Sequence, residues 1–405
     1  MKRIAIVSTG YGWLPCEPGP SRFYYIAKTF VDAGWDVELI TVDFQHFQKK
    51  PRDIELIRAQ NYPFRITFVH APAYKKNVDI RRIISNRAVA KNVIRELRLR
   101  IRDFDAVYCS IPANNVAARL SELCKDNNVP FIVDIEDLWP EAMSMVLKND
   151  ALRNFLLKGM KDDAEITYRN ASAVVGTSED YTERAFLKRP RDIPAKTVYV
   201  GCDITAFDRG VQEFRDEIIK PEGEFWVTYA GSISTSYDIK TLIDAGKDLA
   251  DQGVHIQLLG TGSQKEELET YVKNNDIRNV HFWGFVPYPK MAAALSKSDV
   301  LVNSFVKGAP QSIVNKIGDY LAAGKPMINT LENPIFCKLV EENGVGVNVE
   351  PEDAEALKTA FKMYKEENEQ MLLGGKKARN LAEKSFNRVS SYRAIEALIR
   401  SLSSC

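Results

Sequence analysis

Short apolar runs alternate with amphipathic segments along the whole chain. Runs such as IAIVS (4–8) and FWVTYA (225–230) have the length of buried strands, and each precedes a polar loop and a helical pattern. Repetition of strand, loop and helix is typical of parallel α/β sheets. The repetition breaks between residues 205 and 222. We therefore predict two doubly wound domains, 1–204 and 205–384, with the charged segment 209–223 as a linker or capping segment.

The stretch NSFVKGAPQSIVNKIGDYLAAGKPMINT (303–330) predicts a strand end, a loop, one helix from about Pro310 to Gly324, and a new strand. One predicted helix face is apolar and the opposite face is polar. The polar face carries Gln311, Asn315 and Asp319 at four-residue spacing, with Lys316 beside them. Free amides at the start of such a helix bind anions, so the stretch suits a nucleotide sugar. A solvated helix face is the alternative, and the pattern alone leaves both open.

Composition narrows the class of protein. The chain has 405 residues, 45% hydrophobic and 27% charged, enough for two full cores, and its net charge of +1 gives no general attraction to nucleic acid. Its six cysteines have no paired or metal-type spacing, and it has only four histidines, so we expect reduced thiols and no metal site. We find no signal peptide and no apolar run long enough to span a membrane, and expect a cytoplasmic protein.

One segment is strongly basic. Residues 75–102 hold ten Lys or Arg against two acids, with isoleucines, valines and leucines at helical spacing. A basic amphipathic helix suits an anionic membrane surface. It also suits an ordinary surface helix, and the sequence does not decide between the two.

Three acids in four residues end a predicted strand in VDIEDLWPE (133–141). They are Asp134, Glu136 and Asp137, followed by Trp139. Ligands bind at the carboxyl ends of strands in open α/β sheets. Carboxylates there can transfer protons or stabilise positive charge, and we favour that interpretation over helix capping.

These two stretches resemble segments of family 4 glycosyltransferases. The first resembles the E-x7-E segment of that family, with Gln311 and Asp319 at the two acidic positions, and the second resembles the D-x-x-D-L-W-P-E signature of one branch. The resemblance implies an α/β protein of GT-B fold. In that fold two Rossmann-like domains face each other across a cleft, and a C-terminal helix, here 385–405, crosses back onto the acceptor-binding N-terminal domain.

The resemblance also implies roles for individual residues. Glu136 falls where better-known branches have a histidine, and the catalytic residues would be Glu136, Asp137 and Gln311. Nucleotide-sugar binding would fall to Gly231, Ser232, Gly260, Gly262, Phe285, Val286, Gln311, Ser312, Ile313, Lys316 and Asp319, and the acceptor side to Gly19, Arg22 and Trp139. Two basic residues that hold the donor diphosphate in the family are replaced by Ser232 and Tyr237. The N-termini of helices predicted to begin near Ser232 and Ser312, or Lys316 or Lys240, would then take their place.

The implied activity is retaining transfer of a sugar, of hexosyltransferase type, from a nucleotide-diphosphate donor to an acceptor hydroxyl, without a metal or a further cofactor. The acceptor would be lipid-linked or a surface-polysaccharide (capsule) precursor. The protein would be cytoplasmic and peripheral at the inner membrane face. A nucleotide-sugar epimerase of the same fold and a non-catalytic sugar-binding protein are the alternatives.

Overall fold

The protein is described by a computed structural model over residues 1–9, 14, 17, 22–76, 79–141 and 150–402. The chain divides into two compact units. Unit 1 is Met1–Tyr199 with Val389–Cys405, and unit 2 is Val200–Arg388. The boundaries predicted from the sequence lie at 204/205 and 384/385, within five residues of these divisions.

Unit 1 is built on a seven-stranded parallel sheet. Its strands are nearly continuous apolar runs because both faces of the sheet are buried. The chain contains β1 (Arg3–Val7), β2 (Asp36–Val42), the two-stranded hairpin of β3 (Phe44–Gln45) and β4 (Lys50–Pro51), β5 (Arg65–Val69), β6 (Ala106–Ile111), β7 (Phe131–Ile135), β8 (Ala173–Gly176) and β9 (Ala195–Thr197). The sheet order is β5-β2-β1-β6-β7-β8-β9, so the winding direction reverses between β1 and β6.

Helices cover the two faces of this sheet. They are α1 (Arg22–Asp32), α2 (Ile54–Ala59), α3 (Ile80–Leu97), α4 (Asn114–Asp126), α5 (Asp150–Asn170) and α6 (Glu179–Arg184). Two separate hydrophobic clusters result, one on each face: one contains Val107 and Val133, the other Tyr108 and Ile132. Successive residues of a strand thus feed opposite cores, as the two-residue period requires.

Unit 2 repeats the design with six parallel strands. Its elements are α7 (Ile204–Phe214), β10 (Phe225–Ala230), α8 (Ile239–Lys247), β11 (Val254–Leu259), α9 (Lys265–Asn274), β12 (Val280–Gly284), α10 (Tyr288–Lys297), β13 (Val300–Asn303), α11 (Lys316–Ala322), β14 (Met327–Asn329), α12 (Pro334–Asn343), β15 (Gly346–Asn348), α13 (Ala354–Glu366) and α14 (Asn368–Leu381). The sheet order is β12-β11-β10-β13-β14-β15, and the winding reverses between β10 and β13. The prediction of two doubly wound Rossmann-like domains is confirmed.

The C-terminal residues return to unit 1. After α15 (Arg388–Ser391), helix α16 (Arg393–Leu402) buries Ile395 and Ile399 in the same core as Ile4 and Phe30. The indole N–H of Trp35 donates to Glu396 Oε1 at 2.9 Å. The predicted return of a terminal helix to the first domain is therefore present.

Two predicted elements are wrong in detail. The segment 209–223 is not a linker throughout, because α7 continues to Phe214 and packs against α10, where Gly210 approaches the backbone of Pro289. The buried residues Ile204 and Phe207 of this helix lie upstream of the segment, and Gly210, which packs on Pro289, has no side chain. The segment itself therefore shows no apolar periodicity.

The helix predicted from Pro310 begins instead at Lys316, more than one turn later. Gln311 and Asn315 therefore precede the helix and do not share a helical face with Asp319. The residues between Pro310 and Asn315 form a loop in which Ser312 is buried, so the local capping pattern does not start the helix here.

Candidate functional site

Three glycines bring the loops after β10 and β11 into direct contact. Gly231 and Gly260 both have a positive φ, near 150°, and a Cβ on Gly260 would lie 1.8 Å from the carbonyl oxygen of Gly231. A Cβ on Gly262 would likewise lie 2.1 Å from Ile233 O. Only glycine permits such an approach, so the carboxyl edge of the second sheet presents bare backbone.

The helix that follows the Gly231 loop does not begin near Ser232, the position predicted from the sequence. Ser232 lies on the exposed loop, and α8 starts only at Ile239. Its N-terminal turn is capped by Asp238, whose side chain accepts a hydrogen bond from Thr241 N. The expected helix N-terminus near Ser232 is thus already occupied by a carboxylate, which leaves the loop itself.

Lys316 reaches this loop from the first turn of α11. Its Nζ is buried and has no hydrogen-bond partner among the described residues, and its side chain lies next to Gly231. The ammonium group is surrounded by rings instead, with Nζ–centroid distances of 4.1 Å to Tyr229, 4.7 Å to Tyr237 and 5.3 Å to Phe305. Burial holds the pKa of Lys316 well below its usual value. When protonated, this group gains from the rings, but the described residues give it no charged partner.

This arrangement suggests which lysine replaces the two basic residues that family 4 enzymes use for the donor diphosphate. Tyr237 occupies one of the predicted basic positions, and its ring is part of the cage around Lys316. The other candidate, Lys240, is exposed and pairs with Asp244 at 2.7 Å. Of these two lysines, Lys316 is the one that lies at the Gly231 loop and has no hydrogen-bond partner among the described residues.

The side chain of Gln311 also has an unmade hydrogen bond. Its Oε1 is buried and accepts no hydrogen bond from the described residues. Ser312 is buried next to it in the chain, and Ile313 is partly buried. A buried acceptor without a donor costs free energy, so this position favours a ligand that supplies an N–H or O–H group.

Asp319 lies one helical turn after Lys316. Its Oδ1 accepts a hydrogen bond from the Tyr288 hydroxyl at 2.8 Å. Burial raises the pKa of Asp319 to about 6, against the opposing effects of this hydrogen bond and of the Arg388 charge. Asp319 therefore holds a proton longer than an ordinary carboxylate and is ionised only above about pH 6.

Tyr320 fixes α11 against the sheet. Its hydroxyl accepts from Ala230 N at 2.8 Å and reaches the carbonyl of Val302 at 3.3 Å. Those two residues lie on β10 and β13, between which the winding of the sheet reverses. Helix α11 is thus held at the topological switch point, where ligands bind in doubly wound sheets.

Phe285 and Val286, which the resemblance assigns to nucleotide-sugar binding, lie in the loop after β12, at the edge of the same sheet. Phe285 is 72% exposed, so it is not a core aromatic, and Val286 beside it is partly buried. Trp283, in contrast, is partly buried and donates to Gln257 Oε1 at 2.8 Å, as a structural aromatic does.

In unit 1 the polar groups at the sheet edge bind one another. Asp134, fully buried in β7, accepts from Arg22 Nε at 2.9 Å and from Nη2 at 3.1 Å. Nη1 of Arg22 also donates to Val198 O and to the Tyr392 hydroxyl. The resemblance implies that Arg22 lies on the acceptor side, where it could meet a phosphate, and an arginine at a helix start is equally compatible with a structural role. In the structure Arg22 is buried, and these contacts use its donors inside the fold.

Glu136 stands just outside this ion pair. Its Oε1 lies 3.6 Å from Arg22 Nε, and its side chain is 20% exposed. Burial and the negative charge of Asp134 raise the pKa of Glu136 to about 8, although Arg22 acts in the opposite direction. Glu136 therefore keeps its proton to a higher pH than an ordinary carboxylate, and a carboxyl with a pKa raised towards neutral pH is suited to proton transfer.

The remaining predicted residues of unit 1 have mixed positions. Asp137 Oδ2 accepts from the indole N–H of Trp139 at 3.1 Å, and burial raises the pKa of Asp137. Trp139 itself is buried, with the Arg82 guanidinium 4.5 Å from its ring centroid. Gly19 lies outside the described residues.

Sequence reasoning missed the residues that complete these clusters. Tyr229, Phe305 and Tyr288 were not predicted as part of the site, because strand and helix aromatics are indistinguishable from core residues in sequence. A signal did exist for Asp134. A single acid inside an apolar strand, FIVDI, requires a buried cation as its partner.

Comparison with protein families gives a partial match. Residues 224–364 match the family described as glycosyl transferases group 1. A segment of 153 residues is 27% identical to an Escherichia coli (strain K12) protein described as a colanic acid biosynthesis glycosyl transferase, WcaI. This segment covers 37% of the chain and 38% of that protein, so the chain spans well under half the length of the relative it matches.

Solved structures resemble the whole chain. Sucrose-phosphate synthase from Thermosynechococcus elongatus aligns with a TM-score of 0.75 and 18% identity, covering 100% of both chains. HepE of Anabaena, solved in complex with UDP, aligns at 0.71 and 16%, covering 99% of this chain and 100% of that one. WaaG, a glycosyltransferase involved in lipopolysaccharide biosynthesis, aligns at 0.66 and 15%, covering 98% and 99%. The predicted GT-B fold is confirmed.

Proposed function

We propose that this protein is a glycosyltransferase that moves a sugar from a nucleotide-diphosphate donor to an acceptor hydroxyl. One observation carries the proposal. At the switch point of the second sheet, Lys316 Nζ and Gln311 Oε1 are both buried and both lack partners among the described residues. A ligand with a diphosphate and sugar hydroxyls would supply the anion to one and a donor to the other. The match of residues 224–364 to group 1 glycosyl transferases supports the same unit as the donor site.

The donor would lie along the carboxyl edge of unit 2. Its diphosphate would meet the Gly231 loop and Lys316, its ribose Asp319, its base the Phe285–Val286 loop, and its sugar Gln311. Gly260 and Gly262 keep the loops close enough for backbone amides to reach the phosphates. Because Tyr288 already orients Asp319, the ribose contact needs little rearrangement.

The reaction breaks the bond between the anomeric carbon and the diphosphate and forms one to the acceptor oxygen. Negative charge develops on the departing diphosphate, where Lys316 in a low-dielectric cage would stabilise it strongly. The acceptor proton would pass to the departing phosphate oxygen or to ionised Glu136. Retention of configuration, hexosyl transfer and independence from metal rest on the resemblance at 133–141 and 310–326.

We further propose that the acceptor is a lipid-linked or surface-polysaccharide precursor. WcaI is described as acting in colanic acid biosynthesis. Helix α3 supports a membrane-proximal acceptor, because Ile83 and Ile84 are 53% and 55% exposed beside the exposed Arg81 and Arg87. Among the described residues, every helix is too short or too polar to traverse a bilayer, so attachment would be at the surface. The protein would then work at the cytoplasmic face of the inner membrane.

Calorimetric titration with a panel of UDP-, GDP- and dTDP-sugars tests the donor site. We expect one donor class to bind, and Asp319→Ala to weaken it by about tenfold or more because the ribose contact is lost. Unchanged affinity in Asp319→Ala would remove the assignment of α11. Incubation with donor alone separates the alternatives, because an epimerase would yield an epimer and a non-catalytic binder would release no nucleotide even with acceptor.

Vesicles test the membrane proposal independently. Binding to anionic vesicles should weaken as salt screens the basic helix, whereas neutral vesicles should not bind. Absent or salt-insensitive binding would contradict it.

A further inference from the structure

Three neighbouring strands of unit 2 each end in an asparagine. Asn303 ends β13, Asn329 ends β14 and Asn348 ends β15, and the three are partners in the strand register. Residues in register on parallel strands point to the same face, so the three amides lie side by side at the carboxyl edge of the sheet. Asn303 Nδ2 donates to Asn329 Oδ1 at 2.9 Å, and Asn329 Nδ2 donates to Asn348 Oδ1 at 2.9 Å. The three side chains therefore form one hydrogen-bonded row.

The backbone of Leu331 fixes the orientation of this row. Its N–H donates to Asn329 Oδ1 at 3.0 Å, and its carbonyl accepts from Asn329 Nδ2 at 3.0 Å. If the Asn329 amide were turned over, its oxygen would face that carbonyl and its NH2 group would face that N–H. Asn329 Oδ1 is also the atom that faces Asn303. The Asn303 amide must therefore present Nδ2 to Asn329, and its Oδ1 is directed elsewhere.

The oxygen of Asn303 has an unmade hydrogen bond. Asn303 is fully buried, and its Oδ1 accepts no hydrogen bond from the described residues. A buried acceptor without a donor costs free energy, and donation by Nδ2 polarises the amide so that the oxygen becomes a stronger acceptor. Because the row holds the amide in one orientation, rotation cannot relieve this cost. The position therefore favours a ligand that supplies an O–H or N–H group.

Asn303 lies among the residues that surround Lys316. The carbonyl of Val302, the preceding residue, accepts from the Tyr320 hydroxyl at 3.3 Å. Tyr320 lies one turn after Lys316 on α11, and Lys316 Nζ is 5.9 Å from the centroid of its ring. Phe305, two residues after Asn303, has its ring centroid 5.3 Å from the same Nζ. The unmade hydrogen bond of Asn303 is thus at the edge proposed to bind the donor.

We infer that Asn303 Oδ1 accepts a hydrogen bond from the sugar of the donor. Residues 303–316 contain three buried polar atoms without a hydrogen-bond partner in the part of the chain that the structure describes: Asn303 Oδ1, Gln311 Oε1 and Lys316 Nζ. The ammonium group suits the diphosphate, whereas the two oxygens need donors, which the sugar supplies. The contacted position of the sugar then carries a hydroxyl or an amide N–H and is not a carboxylate. The inference rests on the proposed function, because it places the donor at this edge.

The affinity that the sugar adds to the nucleotide tests this contact. Full-length protein is titrated by calorimetry with UDP and UDP-glucose, GDP and GDP-mannose, and dTDP and dTDP-glucose. Asn303→Leu keeps the branching of the side chain but removes the oxygen. It should weaken binding of the sugar nucleotide by about three- to tenfold, while the Kd of the free nucleotide changes by less than about twofold. Because Asn329 Oδ1 keeps the hydrogen bond from Leu331 N, the urea midpoint should stay the same or rise.

Asn279→Leu is the matched control. Asn279 is also buried in unit 2 and its Oδ1 also accepts nothing from the described residues, but it precedes β12, at the amino edge of the sheet. Its Nδ2 donates to the carbonyls of Gly246 and Val254, so its replacement should lower the urea midpoint. Both Kd values should stay within about twofold of wild type. The same pattern in Asn303→Leu would mean a structural role only and would overturn the inference.

Fluorinated donors show which sugar position is contacted. In analogues of the sugar nucleotide that binds, fluorine replaces one sugar hydroxyl at a time, which removes the hydrogen that Asn303 would accept. At one position the loss should be about three- to tenfold in wild type and less than about twofold in Asn303→Leu. Asn303→Ala, which removes the same oxygen, is used if Asn303→Leu does not fold. Equal losses in wild type and variant at every position would contradict the contact.

Failure of the proposed function gives a different result. If the wild-type protein binds none of the six nucleotides and sugar nucleotides, the donor site itself is refuted. If a sugar nucleotide binds and its advantage over the free nucleotide is the same in wild type and Asn303→Leu, only the contact with Asn303 is refuted.

Discussion

Each of the two sheet edges buries a basic side chain, but in the part of the chain that the structure describes only the edge in unit 1 pairs it with a carboxylate. In unit 1 the buried cation Arg22 is paired with Asp134 and also donates to Val198 O and Tyr392. In unit 2 the Nζ of the buried Lys316 lies among aromatic rings, and neither it nor Gln311 Oε1 has a hydrogen-bond partner among the described residues.

This difference identifies where binding energy is available. A charge that the fold has already paired contributes to stability and has little left for a ligand. A charge that the fold buries without a partner lowers stability, and a ligand that pairs it recovers that loss on binding. Burial of a basic side chain therefore does not by itself indicate a binding site. The number of its hydrogen bonds that the fold leaves unmade is a better indicator.

The largest effect is expected from breaking the paired side. Arg22→Ala leaves Asp134 buried without its cation and should lower the unfolding free energy of unit 1 by about 3–5 kcal/mol. Urea denaturation followed by circular dichroism measures it. Lys28→Ala, on the same helix but in an exposed pair with Asp32, should cost less than about 0.5 kcal/mol. Equal losses in the two variants would show that the buried pair has no special role.

The next effect concerns Glu136, which shares the field of Asp134. Glu136→Gln should lower kcat by roughly 10²–10⁴-fold if the carboxylate takes the acceptor proton. The wild-type rate should then rise with pH and level off above about 8, the pKa of Glu136. Glu122→Gln, at an exposed position on α4, should leave both unchanged. A pH profile that survives in Glu136→Gln would assign the proton transfer to another group.

Glu136→Gln should also change how the unfolding free energy depends on pH: kcat rises with pH in the wild type, whereas its unfolding free energy falls. The pKa of Glu136 is about 8 in the folded state and near 4.5 in an unfolded chain. The folded state therefore keeps the proton longer, and the unfolding free energy falls as pH rises from about 4.5 to 8. Glutamine has no proton to lose, so Glu136→Gln should flatten that fall.

The sequence predicts the fold well because each strand and helix carries its own signal. Apolar runs of strand length, each followed by an amphipathic segment, are sufficient for two doubly wound sheets. Predictions failed where tertiary contacts decide. Helix α11 starts at Lys316 and not near Pro310. Helix α7 was missed because its buried residues Ile204 and Phe207 lie upstream of the charged segment, and Gly210, which packs on Pro289, contributes no side chain.

The site is less predictable than the fold for a related reason. Sequence spacing brought Lys316 and Asp319 together correctly, since both lie on one short helix. It could not show that Arg22 has a buried partner 112 residues away, or that Lys316 Nζ has no hydrogen-bond partner in the part of the chain that the structure describes. Those are statements about long-range neighbours, and long-range neighbours decide whether a polar group is available to a ligand.

The third effect tests the unpaired side. Lys316→Met should weaken donor binding by about 10–100-fold, the value of a hydrogen bond to a charged group, while the unfolding free energy stays the same or rises. Because burial lowers the pKa of Lys316 and a diphosphate would raise it again, wild-type binding should also take up protons. Calorimetry in two buffers of different ionisation enthalpy measures that uptake, which should vanish in Lys316→Met.

Lys240→Met provides the matched control. Lys240 lies in the same unit and was the other candidate for the diphosphate, but it is exposed and already paired with Asp244. Its loss should change donor affinity by less than twofold. A larger loss of donor affinity in Lys240→Met than in Lys316→Met would show that Lys240, and not Lys316, contacts the diphosphate.

The smallest effect concerns how Asp319 is prepared for the donor. Tyr288→Phe removes the hydrogen bond that opposes the raised pKa of Asp319, so the carboxyl should titrate above its present value of about 6. Donor affinity should fall about three- to tenfold at pH 6.5 and recover towards wild type at pH 8.5, where Asp319 is ionised in both proteins. Tyr271→Phe removes an equivalent tyrosine–aspartate bond in unit 2, to Asp244 at 2.6 Å, and should leave donor affinity unchanged at both pH values. A loss of affinity in Tyr288→Phe that is equal at both pH values would mean that the hydroxyl contacts the donor directly. Tyr288 would then be a binding residue and not one that only orients Asp319.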